Sequence, residues 1–110
     1  MTGGKRKLVL YELASGKVPF EQWLSGLKDR RARAIIRVRL DRLALGNAGV
    51  YKFIASGVYE LKIDFGPGYR LYFCEDGKMF IVLLCGGDKS TQEKDIRKAL
   101  SYWNDYWSKK

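Results

Sequence analysis

The chain contains no histidine. That absence removes the Ser/His/Asp and Cys/His nucleophile systems, which need an imidazole to move the proton. It also removes ordinary zinc sites, because the remaining soft ligands, Cys74 and Cys85, are too few and too far apart to hold the ion. No metal and no cofactor are expected. Only two prolines occur, Pro19 and Pro67, and no repeat, low-complexity run or linker divides the chain. Long apolar runs are missing too. Between Met1 and Leu13 the short run Leu8 to Leu10 soon meets Glu12, far short of a secretory core or a membrane span. A cytoplasmic protein without membrane contact is expected. Gly86-Gly87-Asp88-Lys89-Ser90 has the flavour of a phosphate-binding loop but lacks its spacing, which argues against nucleotide binding.

Positive charge is what the chain has in excess. Twenty-one Lys and Arg oppose twelve Asp and Glu, a net charge of +9. Such an excess favours a polyanion or an acidic partner, with a solvated basic surface as the plainer alternative. A length of 110 residues with 46% hydrophobic side chains suits one domain, residues 1–110, around one core.

The order of elements follows from periodicity and punctuation. Leu8 to Tyr11 read as a first strand. Pro19 opens a short helix whose Phe20, Trp23, Leu24 and Leu27 share a face, and Gly26 ends it. A longer helix starts near Asp29, with Ala32, Ile35, Ile36, Leu40 and Leu43 in one stripe and Gly46 as its cap. Arg30, Arg33 and Arg37 line another stripe, which is either a solvated face or a surface that grips phosphates or docks a partner. Residues 47–57 read as a loop, and this loop contains a further basic candidate, Lys52.

Three strands then form a meander. Tyr59, Leu61 and Ile63 alternate with Glu60, Lys62 and Asp64, and Tyr69, Leu71 and Phe73 alternate with Arg70, Tyr72 and Cys74, as two half-buried antiparallel strands. Met79 to Cys85 form an interior strand beyond the Asp76-Gly77 turn. Hairpin register sets Cys74 and Cys85 apart as reduced core residues. Ser90 and Glu93 form a capping box for a last helix bearing Ile96, Ala99, Leu100, Trp103 and Trp107 on one face. The expected fold is α+β, in the order β-α-α-β-β-β-α, with helices packed on a mainly antiparallel four-stranded sheet.

The polar side of the meander brings Lys62, Arg70 and Tyr72 within cross-strand reach, with Lys89 close behind. Such a group suits RNA cleavage in which the ribose 2′-hydroxyl attacks its own 3′-phosphate. Arginine holds the phosphorane oxygens in a planar fork, and Lys62 or Tyr72 is a candidate acid or base. The structural alternatives are a solvated Lys62 paired with Glu60 or Asp64, an Arg70–Asp64 salt bridge, and a packed Tyr72. On a solvated strand face, replacement of Arg70 is expected to spare the fold.

The stretch from Glu60 to Phe73, with its Gly68-Tyr69-Arg70-Leu71 segment, together with Gly86 to Gln92, resembles the RelE/ParE toxin superfamily, in particular its HigB-like branch of addiction module killer proteins. The resemblance implies the toxin of a type II toxin–antitoxin pair that cuts messenger RNA on the ribosome and is neutralised by an antitoxin, often a helix-turn-helix protein. It carries the family's active-site arginine onto Arg70 and a basic strand position onto Lys62, with Lys89 as the second cation. Glu60 stands at a neighbouring basic position, and Gln92 and Glu93 occupy the region of the family's C-terminal tyrosine or histidine. The same fold also includes inhibitors of DNA gyrase that cut no RNA, and a degenerate toxin that only binds its antitoxin is the third alternative.

Overall fold

A computed structural model describes residues 5–110, so residues 1–4 of the stretch read above for a leader lie outside the described residues. The elements are β1 (Lys7–Leu10), α1 (Pro19–Gly26), α2 (Arg30–Ala44), β2 (Lys52–Ala55), β3 (Val58–Ile63), β4 (Tyr69–Asp76), β5 (Phe80–Gly87), a 3-10 turn (Lys89–Thr91) and α3 (Gln92–Ser108). No helix among the described residues is long and apolar enough to cross a membrane.

Both early helices begin and end where the sequence punctuates them. Pro19 occupies the first turn of α1. The Asp29 carboxylate accepts from the Arg31 and Ala32 amides at 2.9 and 3.2 Å, satisfying donors that α2 cannot pair internally. Past its other end, the Gly46 amide returns to the Leu43 carbonyl and the Asn47 amide to the Arg42 carbonyl, closing the helix. The start of α3 differs from expectation. Asp88, not Ser90, makes the capping bonds, and it caps the 3-10 turn ahead of α3, whose own cap, Thr91, makes no side-chain capping bond: Asp88 accepts from the Ser90 amide at 2.8 Å, and Thr91 Oγ1 accepts from the Asp88 amide at 3.3 Å. The Ser90 hydroxyl is itself engaged as a donor to Asp88.

The sheet has five strands in the order β1-β5-β4-β3-β2, not four. β1 runs parallel to β5, and the other neighbours are antiparallel. The extra strand, β2, comes from the segment read as loop. Ser56 and Gly57 join it to β3 with φ of 58° and 125°, the positive values that a two-residue hairpin turn needs to match strand twist.

A larger correction concerns burial. One sheet face, with Leu61, Ile63, Tyr69, Leu71, Phe73, Ile81 and Leu83, packs on α1 and α2 as the alternation predicts. The opposite face is covered as well. Val58, Tyr72, Cys74, Val82, Leu84 and Cys85 pack with Tyr11 and Ala99, and Ile96, Leu100, Tyr102 and Trp103 of α3 close over them. β3 and β4 are therefore the middle of three layers rather than half-buried strands, because α3 lies on the side that the alternating polar residues had marked as solvated.

Cys74 and Cys85 are free and buried, and their register partners, Val82 and Tyr72, keep them apart. Burial pushes both thiols up to about 12. The glycine pair of β5 serves packing. A Cβ at Gly86 would lie 2.3 Å from the Trp23 ring, and one at Gly87 would lie 1.7 Å from Asp95 Oδ2. Their bareness lets α1 and α3 approach the same strand from opposite faces.

Candidate functional site

The β3–β4 hairpin turns through Asp64, Phe65 and Gly66-Pro67-Gly68. Amides of Phe65 and Gly68 bond back to the Ile63 and Phe65 carbonyls, and the Lys89 amide donates to the Pro67 carbonyl at 3.4 Å, tying the 3-10 turn to the loop. An open pocket of about 400 Å³ results, lined by this loop with Lys62, Arg70 and Lys89. Lys62 and Arg70 are register partners across the two strands. The Arg70 Nη1 donates to the Gly68 carbonyl at 2.7 Å, and a Cβ at Gly68 would stand 3.4 Å from that nitrogen and 3.8 Å from Lys89 Cβ. Three of the four residues named for catalysis thus meet at one loop.

Arg70 reaches the pocket from the interior. Its side chain is 7% exposed, and its Nε lies 3.7 Å from the Oε2 of Glu60, itself 3% exposed. Glu60 Oε2 also accepts from the Tyr72 hydroxyl and from Gln92 Nε2, each at 2.9 Å, and Lys52 Nζ is 3.8 Å from Oε1. One buried carboxylate therefore gathers groups from β2, β4 and the first turn of α3. Arg70 Nε has no hydrogen-bond acceptor among the described residues, so charge rather than a formed hydrogen bond holds it toward Glu60.

Tyr72, expected on a solvated face, has no exposed surface. Burial, and then the Glu60 carboxylate it donates to, raise its hydroxyl well above the ordinary tyrosine range, which keeps the proton on. It does not line the pocket; it positions Glu60. The Arg70–Asp64 bridge weighed as a structural alternative is replaced by Arg70–Glu60, whereas the alternative for Lys62, a solvated pairing with Asp64, is present at 3.4 Å with both side chains largely exposed.

The arginine stripe divides. Arg30 and Arg37 are exposed, but Arg33 is partly buried and donates to the Leu27 carbonyl, bracing the link between α1 and α2. Part of its guanidinium is thus engaged within the chain. Arg31, outside the stripe, lies 5.7 Å above the Phe65 ring at the pocket's edge. Lys52 sits on an edge strand with its side chain 66% exposed. The contributions that sequence reasoning missed are Asp64 in the pocket and the Glu60–Gln92 contact. The Gly-Pro-Gly loop between alternating strands was the available signal for the first; nothing local signals the second.

The profile of the phage derived protein Gp49-like family matches residues 22–103, which run from within α1 to within α3 and include the whole pocket. An uncharacterized protein of Haemophilus influenzae is 51% identical over 80 residues, covering 73% of this chain and 81% of the relative. The chain belongs to the Gp49-like family, a toxin-like family related to addiction modules.

Proposed function

We propose that this Gp49-like protein is the toxin of a type II toxin–antitoxin pair and acts as a ribosome-dependent endoribonuclease of messenger RNA, as its RelE/ParE and HigB-like resemblance implies. The observation that supports this reading best is the convergence of Lys62, Arg70 and Lys89 on the Gly66–Gly68 loop. In the proposed step the ribose 2′-oxygen bonds to the adjacent phosphorus and the 5′-oxygen leaves, giving a cyclic phosphate and a free 5′-hydroxyl. The Arg70 fork faces the charge that builds on the phosphorane oxygens. Asp64 takes the 2′-hydroxyl proton, and Lys62 or Lys89 protonates the departing oxygen. Arg30, Arg37 and Lys52 are outer phosphate contacts. Family membership implies an antitoxin, and an acidic segment covering the pocket would neutralise it with an affinity that falls as salt rises.

The test is cleavage mapping on purified ribosomes carrying a defined message. Wild type is expected to cut within the ribosome-bound codon, with Lys62→Ala and Lys89→Ala each slower. An uncut message with accumulating gyrase–DNA complexes would replace this reading with gyrase inhibition. One observation favours a second reading. Arg70 is only 6% exposed and paired with Glu60, as in a purely structural bridge, which fits a protein that keeps antitoxin binding without cutting; intact message and intact gyrase would establish it.

A further inference from the structure

A second concavity, of about 380 Å³, lies between α1 and α3 at the edge of β5. β1 pairs with β5 only as far as Leu83, so among the described residues no strand lies beside the last residues of β5 on this side. Trp23 of α1 and Tyr102 of α3 line the space, and Gly86 and Gly87 form part of its floor. Lys17, Lys94 and Lys98 also line it, and all three are exposed. Its two carboxylates are already engaged: Asp88 accepts from Ser90, and the buried Asp95 accepts from Thr91.

This groove lies beside the Arg70 pocket. Arg70, in the first pocket, is the register partner of Gly87, in the second. A shallow cleft around Lys89, Lys94 and Arg97 lies between them, with Lys89 also lining the Arg70 pocket and Lys94 the groove. Lys94 and Lys98 lie one turn apart on α3, with about 5–6 Å between Cβ atoms, a spacing that serves successive phosphates of an extended strand.

We infer that this groove is a subsite for a nucleobase of the same RNA strand whose phosphate occupies the Arg70 pocket, with the base against Trp23 and its flanking phosphates on Lys94 and Lys98. The inference rests on the endoribonuclease reading above. The chemistry suits a planar group on an anionic strand: the half-buried Trp23 and Tyr102 rings line the groove beside three exposed lysines, and aromatic side chains stack on bases. An added peptide strand fits less well, because Gly86 and Gly87 are buried and Trp23 lies close over Gly86.

The test titrates a 2′-O-methyl hexaribonucleotide, which cannot undergo the 2′-hydroxyl attack, into the full chain. Amide NMR shifts and fluorescence anisotropy are read together. The Gly86 and Gly87 amides should move along with those of Gly68 and Lys89. An abasic unit at one position of the oligonucleotide should weaken binding roughly tenfold, and Trp23→Phe, which keeps an aromatic ring over Gly86, should weaken it less. Lys94→Ala with Lys98→Ala should lower the slope of log affinity against log salt by about 1 to 2. If only the Gly68–Lys89 region shifts and neither the abasic unit nor the double variant matters, the subsite is overturned while the nuclease reading stands. If no binding occurs, the subsite is overturned and ribosome cleavage still decides the reading beneath it. If a glutamate-rich peptide moves the Gly86 and Gly87 amides and RNA does not displace it, the groove is a peptide site and the inference fails.

Discussion

The two faces of the sheet are built from the same strands and solve different problems. The face toward α1 and α2 is a plain apolar core in which Leu61, Leu71 and Ile36 have no exposed surface. The face toward α3 is buried to the same degree, yet it encloses Glu60, Arg70 and Asp95, at 4%, 6% and 6% exposure. Burying charge is costly unless it is paired, and each of these groups has a partner: Glu60 with Arg70, Tyr72 and Gln92, and Asp95 with Thr91. The first face supplies stability; the second spends some of it to hold one arginine at the wall of a pocket. An alternating polar residue on a strand therefore marks the opposite face, not solvent.

The largest expected effect breaks that second face. Arg70→Ala should reduce message cleavage by about 10²- to 10³-fold, the usual loss for one preorganised charge-stabilising donor. The structure reverses the expectation that the fold is spared. Removing Arg70 leaves the Glu60 carboxylate buried without its buried cationic partner, a loss of about 3 kcal/mol, and the melting temperature should fall by more than about 10 °C. Glu60→Gln combined with Arg70→Met should recover most of the stability and none of the cleavage. Thermal unfolding and ribosome assays on the two single variants and the double one separate the roles. A stable Arg70→Ala protein that cuts at the wild-type rate would sink both the site and the ion pair.

Residues that report locally explain which parts were legible. Asp29, Pro19 and Gly46 announce helix ends through groups a few residues away, and the 3.6 and 2.0 periodicities assign Ile36 and Leu71 to the core. β2 was missed although Phe53 and Ile54 precede a Ser-Gly pair, a hairpin signal diluted by the glycines and exposed apolar residues around it. The site was legible as a cluster: Lys62, Arg70 and Lys89 do meet. Its interior was not, because Gln92 reaches Glu60 across 32 positions of sequence and no periodicity encodes which face a final helix covers. That one unknown made Tyr72 look solvated and Glu60 look like a departure, when both position the arginine.

The adjacent glycines of β5 offer a smaller and more symmetrical comparison, since Gly86 faces Trp23 on one side and Gly87 faces Asp95 on the other. Alanine at either position forces a packed helix outward, and each should cost roughly 1–3 kcal/mol. Their signatures should differ. Gly86→Ala should change tryptophan emission and slow cleavage only through the displaced Trp23 ring of the groove, less than Gly87→Ala does. Gly87→Ala should disturb the Asp95–Thr91 contact, shift the turn that holds Lys89, and slow cleavage several-fold. Equal effects on cleavage from the two variants would show that the faces are not independent.

The smallest effects are proton-linked, and they fall mainly on the α3 face, where most of the shifted groups lie; burial raises Tyr69 on the opposite face. Burial raises Cys74 and Cys85 to about 12 from an ordinary value of 9.0, and it raises Tyr72, Tyr102 and Tyr106, which belong to or pack on the same cluster. The unfolded chain releases these protons first, so their contribution is fully present below about pH 9 and is lost as pH climbs through about 12. Each thiol adds a slope of at most about 1.4 kcal/mol per pH unit in that window. Denaturant unfolding at pH 8, 9, 10 and 11 should show the decline, and Cys85→Ala should flatten it by one group's share; a level profile would mean that the α3 face opens before these groups titrate. The acid limb should be weaker. Asp105 is held below the ordinary carboxylate range by the Tyr11 hydroxyl and then Lys109, and Asp76 by Lys110 and then Tyr106. Both contribute above about pH 4 and lose that contribution as pH falls through their lowered values. Because they bind the C-terminal half of α3 to the ends of β1 and β4, acid should loosen Trp103 and Trp107 while the α1–α2 face, which has no such anchors, keeps its packing. Tryptophan emission of the Trp23→Phe protein between pH 5 and 2, compared with α2 amide protection, reads that difference directly, and simultaneous loss of both would erase the distinction between the faces.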